Sequence, residues 1–215
     1  MSTNNMDRFE FRCIRPEETP QAIEIEQICF PPNEACSPKS LTERIKATAE
    51  TFLVAEDKET GKLAAFLNGV PTDEDAFRDE FFTDISLSNP EGKNIMLLGL
   101  DVRPEYRMQG LGRELVSRYG QREAQKGRKK LFLTCLDEKV KMYEKFGFTD
   151  LGQANSTWGG EAWHPVQNAK RNLFKMICRI HVSFNFMILF YRKEKFIYET
   201  SSISTAGLSI LRSAF

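Results

Sequence analysis

Apolar side chains recur along this chain with two periods, every second residue in some segments and every third or fourth in others. The first period is typical of half-buried strands and the second of amphipathic helices. The segments follow the order β-α-α-β-β-β-α-β-α-β-β, which predicts an α/β protein with a mixed sheet. We predict helices over 16–30, 40–49, 109–126 and 137–146, a short helix with a loop over 73–88, and strands over 9–14, 51–55, 62–69, 95–102, 130–135, 148–152 and 161–166.

Local signals mark the ends of several of these elements. Ser40 is predicted to cap the second helix, with Glu43 three residues later completing a capping box. Gly61 lies near the end of a hairpin loop between two strands, and Gly127 ends the third long helix.

A strand and a helix meet in the segment 97–112, which contains the pattern Arg107-x-x-Gly110-x-Gly112. The unpaired N–H groups and the dipole of a helix start attract anions. The glycines remove side chains that would hold a phosphate away from those amides. A solvated helix start without a ligand is the alternative. We expect a phosphorylated cofactor at this position.

Two other phosphate-binding motifs do not fit. The chain contains no Walker A sequence. The dinucleotide fingerprint requires a third glycine where this chain has Leu115. The pattern that remains resembles the acetyl-CoA pyrophosphate loop of the GNAT N-acetyltransferases. Residues 142–148, about thirty positions further on, resemble the Tyr-x-x-x-Gly-Phe segment of the same family.

Further segments resemble the arylalkylamine, or serotonin-type, branch of that family. The resemblance implies a GNAT domain over 8–166, in which the fourth and fifth strands of a mixed central sheet splay apart around the cofactor. Residues 1–7 would be a flexible N-terminus and 167–215 a C-terminal extension of uncertain structure. The segments that carry the resemblance are 9–18, 24–26, 37–38, 63–67 and 135–148.

The resemblance also implies how acetyl-CoA binds. The pantetheine arm would hydrogen-bond the fourth strand as an added strand, and loop amides would hold the diphosphate. Two arginines could add charge-assisted contacts. The cofactor-binding residues implied are Leu100, Asp101, Val102, Arg107, Met108, Gln109, Gly110, Leu111, Gly112 and Arg113.

Acetyl transfer to an amine needs a base and benefits from an acid. A primary amine with a pKa near 10 is about one-thousandth free base at neutral pH. The CoA thiolate has a pKa of about 8.5 and leaves more readily when it gains a proton. Tyr143 occupies the position of the family's general-acid tyrosine, although its spacing alone is also that of the inward face of a helix.

The base is where this chain departs from its relatives. Vertebrate enzymes of this branch carry two histidines on the fourth strand, and the matching positions are Met96 and Leu98, which accept no proton. Glu26 matches a glutamate base of some insect-type relatives. A water chain could replace a side chain as the base. Glu26 could also lie on a solvated helix face, as Glu24 is expected to do. Alternation along the strand predicts that Asp101 lies on the face opposite Met96 and Leu98.

An aromatic acceptor pocket is expected beside the reacting groups, unless the same side chains are ordinary core. A covalent intermediate on Cys135 is disfavoured, because the family transfers directly and a strand cysteine is usually packed core. The substrate-binding residues proposed for the pocket are Phe30, Ser37, Pro38, Phe66, Met96 and Leu98.

The distribution of charge and of cysteines indicates which ligands and which cellular compartment to expect. Residues 166–215 carry eight basic and two acidic side chains, whereas the rest carries 22 basic and 28 acidic. An acidic body is poorly suited to nucleic acid and suits a cationic amine better. Five scattered cysteines and two histidines form no metal-like cluster, which predicts a reducing compartment and no metal. The N-terminus shows no secretory signal, so we expect a cytoplasmic protein. We expect it to be a monomer or a homodimer.

The apolar segment 173–191 carries Lys175, Arg179, His181 and Asn185, which are costly at a bilayer centre, so a transmembrane helix is not expected. An irregular extension, an element packed on the domain, and a membrane-surface or partner contact are the alternatives.

The expected function is direct transfer of acetyl from acetyl-CoA to a primary amine, with an arylalkylamine favoured, in a ternary complex. A polyamine, aminoglycoside or peptide N-terminus as acceptor, or a non-catalytic acyl-CoA sensor, are the other hypotheses.

Overall fold

A computed structural model of the chain describes residues 5–153 and 162–169. The strands are β1 (Phe9–Cys13), β2 (Phe52–Asp57), β3 (Lys62–Thr72), β4 (Asn94–Val102), β5 (Lys130–Leu136), β6 (Thr149–Asp150) and β7 (Trp163–Ala169). The helices are α1 (Thr19–Cys29), α2 (Pro38–Thr48), α3 (Leu111–Gln125) and α4 (Asp137–Lys145). The strands form one sheet in the order β1-β2-β3-β4-β5-β7-β6. Only β4 and β5 pair in parallel among these strands, which confirms the mixed α/β class.

Helices cover both faces of the sheet. On one face, α1 and α2 bury Ile25 and Leu41 against Phe66 of β3. On the other face, α3 buries Leu115 and Tyr119, and α4 adds its apolar side to the same cluster. Two 3-10 turns, Asp79–Phe82 and Ile85–Leu87, account for the short helix predicted over 73–88. They cover a third cluster, which contains Val70, Phe81, Met96 and Phe132.

The fourth and fifth strands separate after a short stretch of pairing. β4 and β5 are joined only at Asn94–Lys130, Ile95–Leu131 and Met96–Phe132. Beyond Met96, β4 continues against β3 while β5 stays paired with β7. This splay, which the resemblance implied, opens a gap in the middle of the sheet.

A bulge in β4 changes which side chains share a face. Leu98 is the one residue of β4 without a partner in the register with β3. An extra residue on one strand inverts the alternation beyond it. Asp101 therefore lies on the same face as Met96, so the prediction of opposite faces was wrong. The register pairs that show this are Val70 with Met96, Gly69 with Leu97, Asn68 with Gly99, and Phe66 with Asp101.

Element ends agree less closely with prediction. The cap of α2 is Ser37, whose hydroxyl accepts from the backbone N–H of Ser40 at 3.1 Å, with Pro38 as the first helical residue. The prediction of Ser40 as the cap was wrong because an equally good cap three residues earlier precedes a proline suited to that position.

The predictions for the N-terminus and the C-terminal extension concern mostly residues that the structure does not describe. Asn5–Arg8 forms a 3-10 turn, and residues 1–4 lie outside the described part. β7 continues to Ala169, past the predicted boundary at 166. The predictions for the remaining extension, including 173–191, concern residues outside the described ones. Within the described ranges, no helix is both long and apolar enough to cross a bilayer.

Candidate functional site

A cavity of about 870 Å³ lies at the splay between β4 and β5. Its wall is formed by β4, β5, α1, α4 and the loop that begins α3. The predicted site residues that line it are Glu26, Phe30, Leu98, Leu100, Val102, Arg107, Met108, Gly110, Leu111, Gly112, Arg113 and Tyr143. The predicted residues outside this lining are Ser37, Pro38, Phe66, Met96, Asp101 and Gln109.

One end of the cavity is the start of α3. Gly110 caps this helix with a φ of 86°, and Met108 has a φ of 60°, in the left-handed region that non-glycine residues rarely adopt. The first helical hydrogen bond runs from the Glu114 amide to the Gly110 carbonyl at 3.1 Å. The amides of residues 111–113 therefore have no acceptor in the helix ladder. Their position suits an anion.

The packing around the two glycines leaves room for a ligand. A Cβ built on Gly110 meets nothing within 4 Å, and one built on Gly112 lies 3.7 Å from Val102 Cγ2. Protein packing therefore does not exclude a side chain at Gly112, and the open space fits a diphosphate drawn close to the amides. Arg113 lines the same space, whereas Gln109 donates to the Glu105 carbonyl at 2.9 Å.

A buried network holds the turn that precedes this loop. The Tyr106 hydroxyl donates to Asp57 Oδ2 at 2.8 Å. Arg8 donates to the same carboxylate through Nε at 3.0 Å and Nη2 at 2.6 Å. The Arg8 guanidinium holds the pKa of Asp57 well below its usual range. The carboxylate therefore stays charged and connects the β2–β3 hairpin to the loop.

Tyr143 faces the cavity from α4. Its ring makes edge contacts with Phe146 and Phe148 at centroid distances of 5.9 and 5.7 Å. Burial raises the pKa of Tyr143, so the phenol keeps its proton at neutral pH. Burial also raises the pKa of the nearby Cys135 thiol to about 12. Tyr143 therefore carries the proton that a general acid needs, although its raised pKa makes it a weaker acid than a solvated phenol, and Cys135 is a poor nucleophile.

Glu26 is buried in α1, with 4% of its surface exposed. Its Oε1 accepts from the Cys36 amide at 2.7 Å, while Oε2 has no hydrogen-bond partner among the described residues. Burial raises the pKa of Glu26, although the Cys36 amide and Arg44 oppose the rise. Glu24, in contrast, is exposed and paired with Arg103 at 2.9 Å. The solvated-face alternative therefore describes Glu24 and not Glu26.

Arg44 is a cavity residue that the sequence reasoning missed. It is 4% exposed on α2, and its guanidinium donates to Asn68 Oδ1 at 3.1 Å and to the Phe82 carbonyl at 2.9 Å. A signal was present in the sequence, because Arg44 falls within the helical spacing of buried Leu41, Ile45 and Thr48. A charged residue inside an apolar stripe indicates a site or a buried pair.

The acceptor residues predicted from sequence separate into two groups. Phe30 and Leu98 line the cavity, where Phe82 and Cys36 join them. Phe66 packs against Phe52 at 4.9 Å between ring centroids, and Met96 is fully buried in the third cluster. Ser37 and Pro38 begin α2. Across 5–153 and 162–169, no group of three or more potential ligands is arranged for a metal ion.

Comparison with the sequences of known proteins gives three findings. Residues 19–148 match the acetyltransferase (GNAT) family. The serotonin N-acetyltransferase of Mesocricetus auratus is 32% identical over 164 residues, which cover 75% of this chain and 78% of that protein. The thialysine N-epsilon-acetyltransferase of Bos taurus is 34% identical over 82 residues, covering 37% of this chain and 45% of that protein.

Among solved structures, the GphF GNAT-like decarboxylase in complex with isobutyryl-CoA aligns with a TM-score of 0.63. The alignment covers 74% of this chain and 98% of that one, at 18% sequence identity. At this identity the likeness concerns the fold alone, since one fold can carry different reactions.

Proposed function

The chain belongs to the acetyltransferase (GNAT) family, and from this premise we propose that it transfers acetyl from acetyl-CoA to the amine of an arylalkylamine. One observation carries the proposal. A single cavity is lined by the free amides that begin α3, by the protonated Tyr143 and by the buried Glu26. These are a diphosphate site, an acid and a base, which are the three parts that the transfer requires.

We assign the cofactor to the splayed side of the cavity. The amides of 111–113 would hold the diphosphate with help from Arg113, and the edge of β4 that β5 leaves unpaired beyond Met96 would receive the pantetheine arm. The thioester then lies beside Tyr143. No metal is needed for this chemistry. The cytoplasmic location and the monomeric or homodimeric state remain predictions.

The reaction we propose is direct. The amine nitrogen attacks the thioester carbonyl, the C–N bond forms and the C–S bond breaks. Glu26 accepts the proton that the amine loses, and Tyr143 gives its proton to the departing thiolate. After the products leave, Glu26 releases a proton to water and Tyr143 takes one from water, so both groups return to their starting states. The raised pKa of Cys135 supports direct attack over a cysteine-bound acetyl group, because little thiolate is present at neutral pH.

The acceptor end favours a monoamine with an apolar body. Phe30, Phe82 and Leu98 provide apolar wall, and the identity with serotonin N-acetyltransferase points in the same direction. Arg44 adds a buried positive charge that would repel a second ammonium group. A polyamine, an aminoglycoside or a peptide N-terminus is the second candidate class, and the similarity to a thialysine enzyme is what favours keeping it.

The test is thiol release from acetyl-CoA with a panel of phenylethylamines, indolylethylamines, polyamines, aminoglycosides and peptides. We expect turnover to be greatest with the arylalkylamines and to be lost in Tyr143→Phe. Tyr119→Phe is the matched control, because its hydroxyl is bonded to the Thr51 carbonyl and lies outside the cavity wall. Tight binding of acetyl-CoA without turnover of any amine would favour a sensor instead.

A further inference from the structure

Two buried carboxyl groups near the cavity have unsatisfied oxygens. Asp101 is fully buried on β4, and neither of its oxygens accepts a hydrogen bond from a residue that the structure describes. The Cys29 thiol close to it donates to the Val102 carbonyl at 3.4 Å and also opposes the rise in the pKa of Asp101. Glu26 Oε2 likewise accepts no hydrogen bond from a residue that the structure describes. Such groups are rare because an unpaired buried charge is costly.

The other buried carboxylates of the described chain are all ion-paired. Glu18 accepts from Arg12 at 2.8 and 2.5 Å, Asp57 pairs with Arg8, and Glu123 lies 3.1 Å from Arg122. Glu26 and Asp101 have no ion-pair partner within 4.0 Å among these residues. Something other than an ion pair must therefore offset the free-energy cost of burying Glu26 and Asp101.

The groups that face the pair come from every surrounding element. α1 contributes Cys29, the loop after it contributes Cys36, α2 contributes Arg44, the phosphate loop contributes Arg107, and α4 contributes Tyr143. The cations are committed elsewhere, since Arg44 donates to Asn68 and Phe82 and Arg107 donates to the Val102 carbonyl at 2.9 Å. Burial first, and then the neighbouring Glu26, raise the pKa of Asp101. Two adjacent buried carboxyls do not both ionise at neutral pH.

We propose that Asp101 is a positioning residue for the base, which keeps a proton at neutral pH and offers it toward Glu26, so that the pair carries one negative charge. Its catalytic consequence rests on the proposed function. The bulge at Leu98 is what gives Asp101 this position, on the strand where Met96 and Leu98 cannot hold a proton. When Glu26 takes the proton of the amine, both carboxyls become neutral, and the added proton returns to water after the product leaves.

The state of the proton can be measured without turnover. We expect the infrared spectrum of the whole protein at pH 7 to contain a C=O band of a buried carboxylic acid, and Asp101→Asn to remove it. Glu18→Gln is the matched control, because its carboxylate is ion-paired and its loss should leave the band in place. A wild-type protein without the band, or a band that persists in Asp101→Asn, would overturn the proposal.

The coupling to the base appears in the pH dependence of kcat/KM. Asp101→Leu removes the donor, so only the Cys36 amide and Arg44 still oppose the effect of burial on Glu26, and the acidic limb should move up by about one pH unit. Asp101→Asn retains an N–H donor and should keep the limb near that of wild type. An unchanged limb in a folded Asp101→Leu would contradict the coupling. A loss in Asp101→Asn as large as that in Glu26→Gln would make Asp101 itself the base.

The two proposals fail differently. If no amine is turned over, the proposed function is wrong while the infrared band still reports on the proton. If Asp101→Leu does not fold, Asp101→Asn and the infrared measurement decide the matter alone.

Discussion

The two ends of the cavity are built in different ways. The proposed cofactor end uses backbone amides and two glycines from a single segment, 107–113. The proposed acceptor end has Glu26 and Arg44 in its wall and Asp101 behind that wall, and these side chains come from α1, α2 and β4 and meet only in the folded chain. The first end is a local conformation that a short motif can encode. The second depends on tertiary packing and on one bulge, so substitutions there can change the acceptor while the cofactor site stays the same.

The largest effect is expected at the acceptor end. Glu26→Gln should lower kcat/KM by about 100- to 10,000-fold, because general base catalysis contributes on that order. The affinity for acetyl-CoA should stay unchanged if the two ends are independent. The measurement is steady-state kinetics together with calorimetry of acetyl-CoA binding.

Glu24→Gln is its matched control, since it lies on the same helix but is exposed and paired with Arg103. Its activity should remain near that of wild type. Equal losses in both variants would mean that the helix and not the base is affected.

The next effect concerns the long-range contact between Asp57 and Tyr106, which holds the turn before the phosphate loop. Asp57→Asn should lower the free energy of unfolding by about 2 kcal/mol, since it weakens charged hydrogen bonds from Arg8 and Tyr106. Denaturant unfolding at neutral pH measures this. Glu59→Gln, which is exposed, should have little effect.

The same carboxylate predicts the direction of acid sensitivity. The pKa of Asp57 is lower in the folded protein than in the unfolded chain. Its contribution is therefore complete above the unfolded value of about 3.9 and is lost as the pH falls toward the folded value. Asp57→Asn should flatten this part of the stability curve, and an unchanged curve would contradict the assignment.

A smaller effect is expected from the loop glycine. Gly110→Ala should weaken acetyl-CoA binding by about tenfold, because a left-handed φ costs a non-glycine residue about 1–2 kcal/mol. Gly127→Ala carries a similar φ of 91° at the other end of α3 and also meets no neighbour. Calorimetry should show that Gly127→Ala binds acetyl-CoA with wild-type affinity. An equal loss of affinity in both variants would contradict a specific role of the Gly110 loop in binding acetyl-CoA.

The smallest effect concerns acceptor choice. Arg44→Gln should lower the preference for a monoamine over a diamine about fivefold, since a like charge at about 4 Å in a wet cavity costs about 1 kcal/mol. Arg44→Lys keeps the charge and should keep the preference. Ratios of kcat/KM for the two amines measure it, and a ratio unaffected by both changes would separate Arg44 from specificity.

What the sequence predicted follows the same division between local and long-range structure. The order of the elements and the loop at Gly110 depend on short-range patterns, and the structure agrees with them. The splay of β4 and β5 was implied by the family resemblance and not by a local pattern, and the structure confirms it. The face of Asp101 depends on how β4 pairs with β3, which strict alternation cannot anticipate. Arg44 was overlooked because charged helix residues are usually solvated.

A crystal structure with coenzyme A tests the central claim most directly. We expect the diphosphate against the amides of 111–113 and the sulfur in the gap between β4 and β5, beside Tyr143. Coenzyme A bound elsewhere, or no coenzyme A at a saturating concentration, would contradict the account.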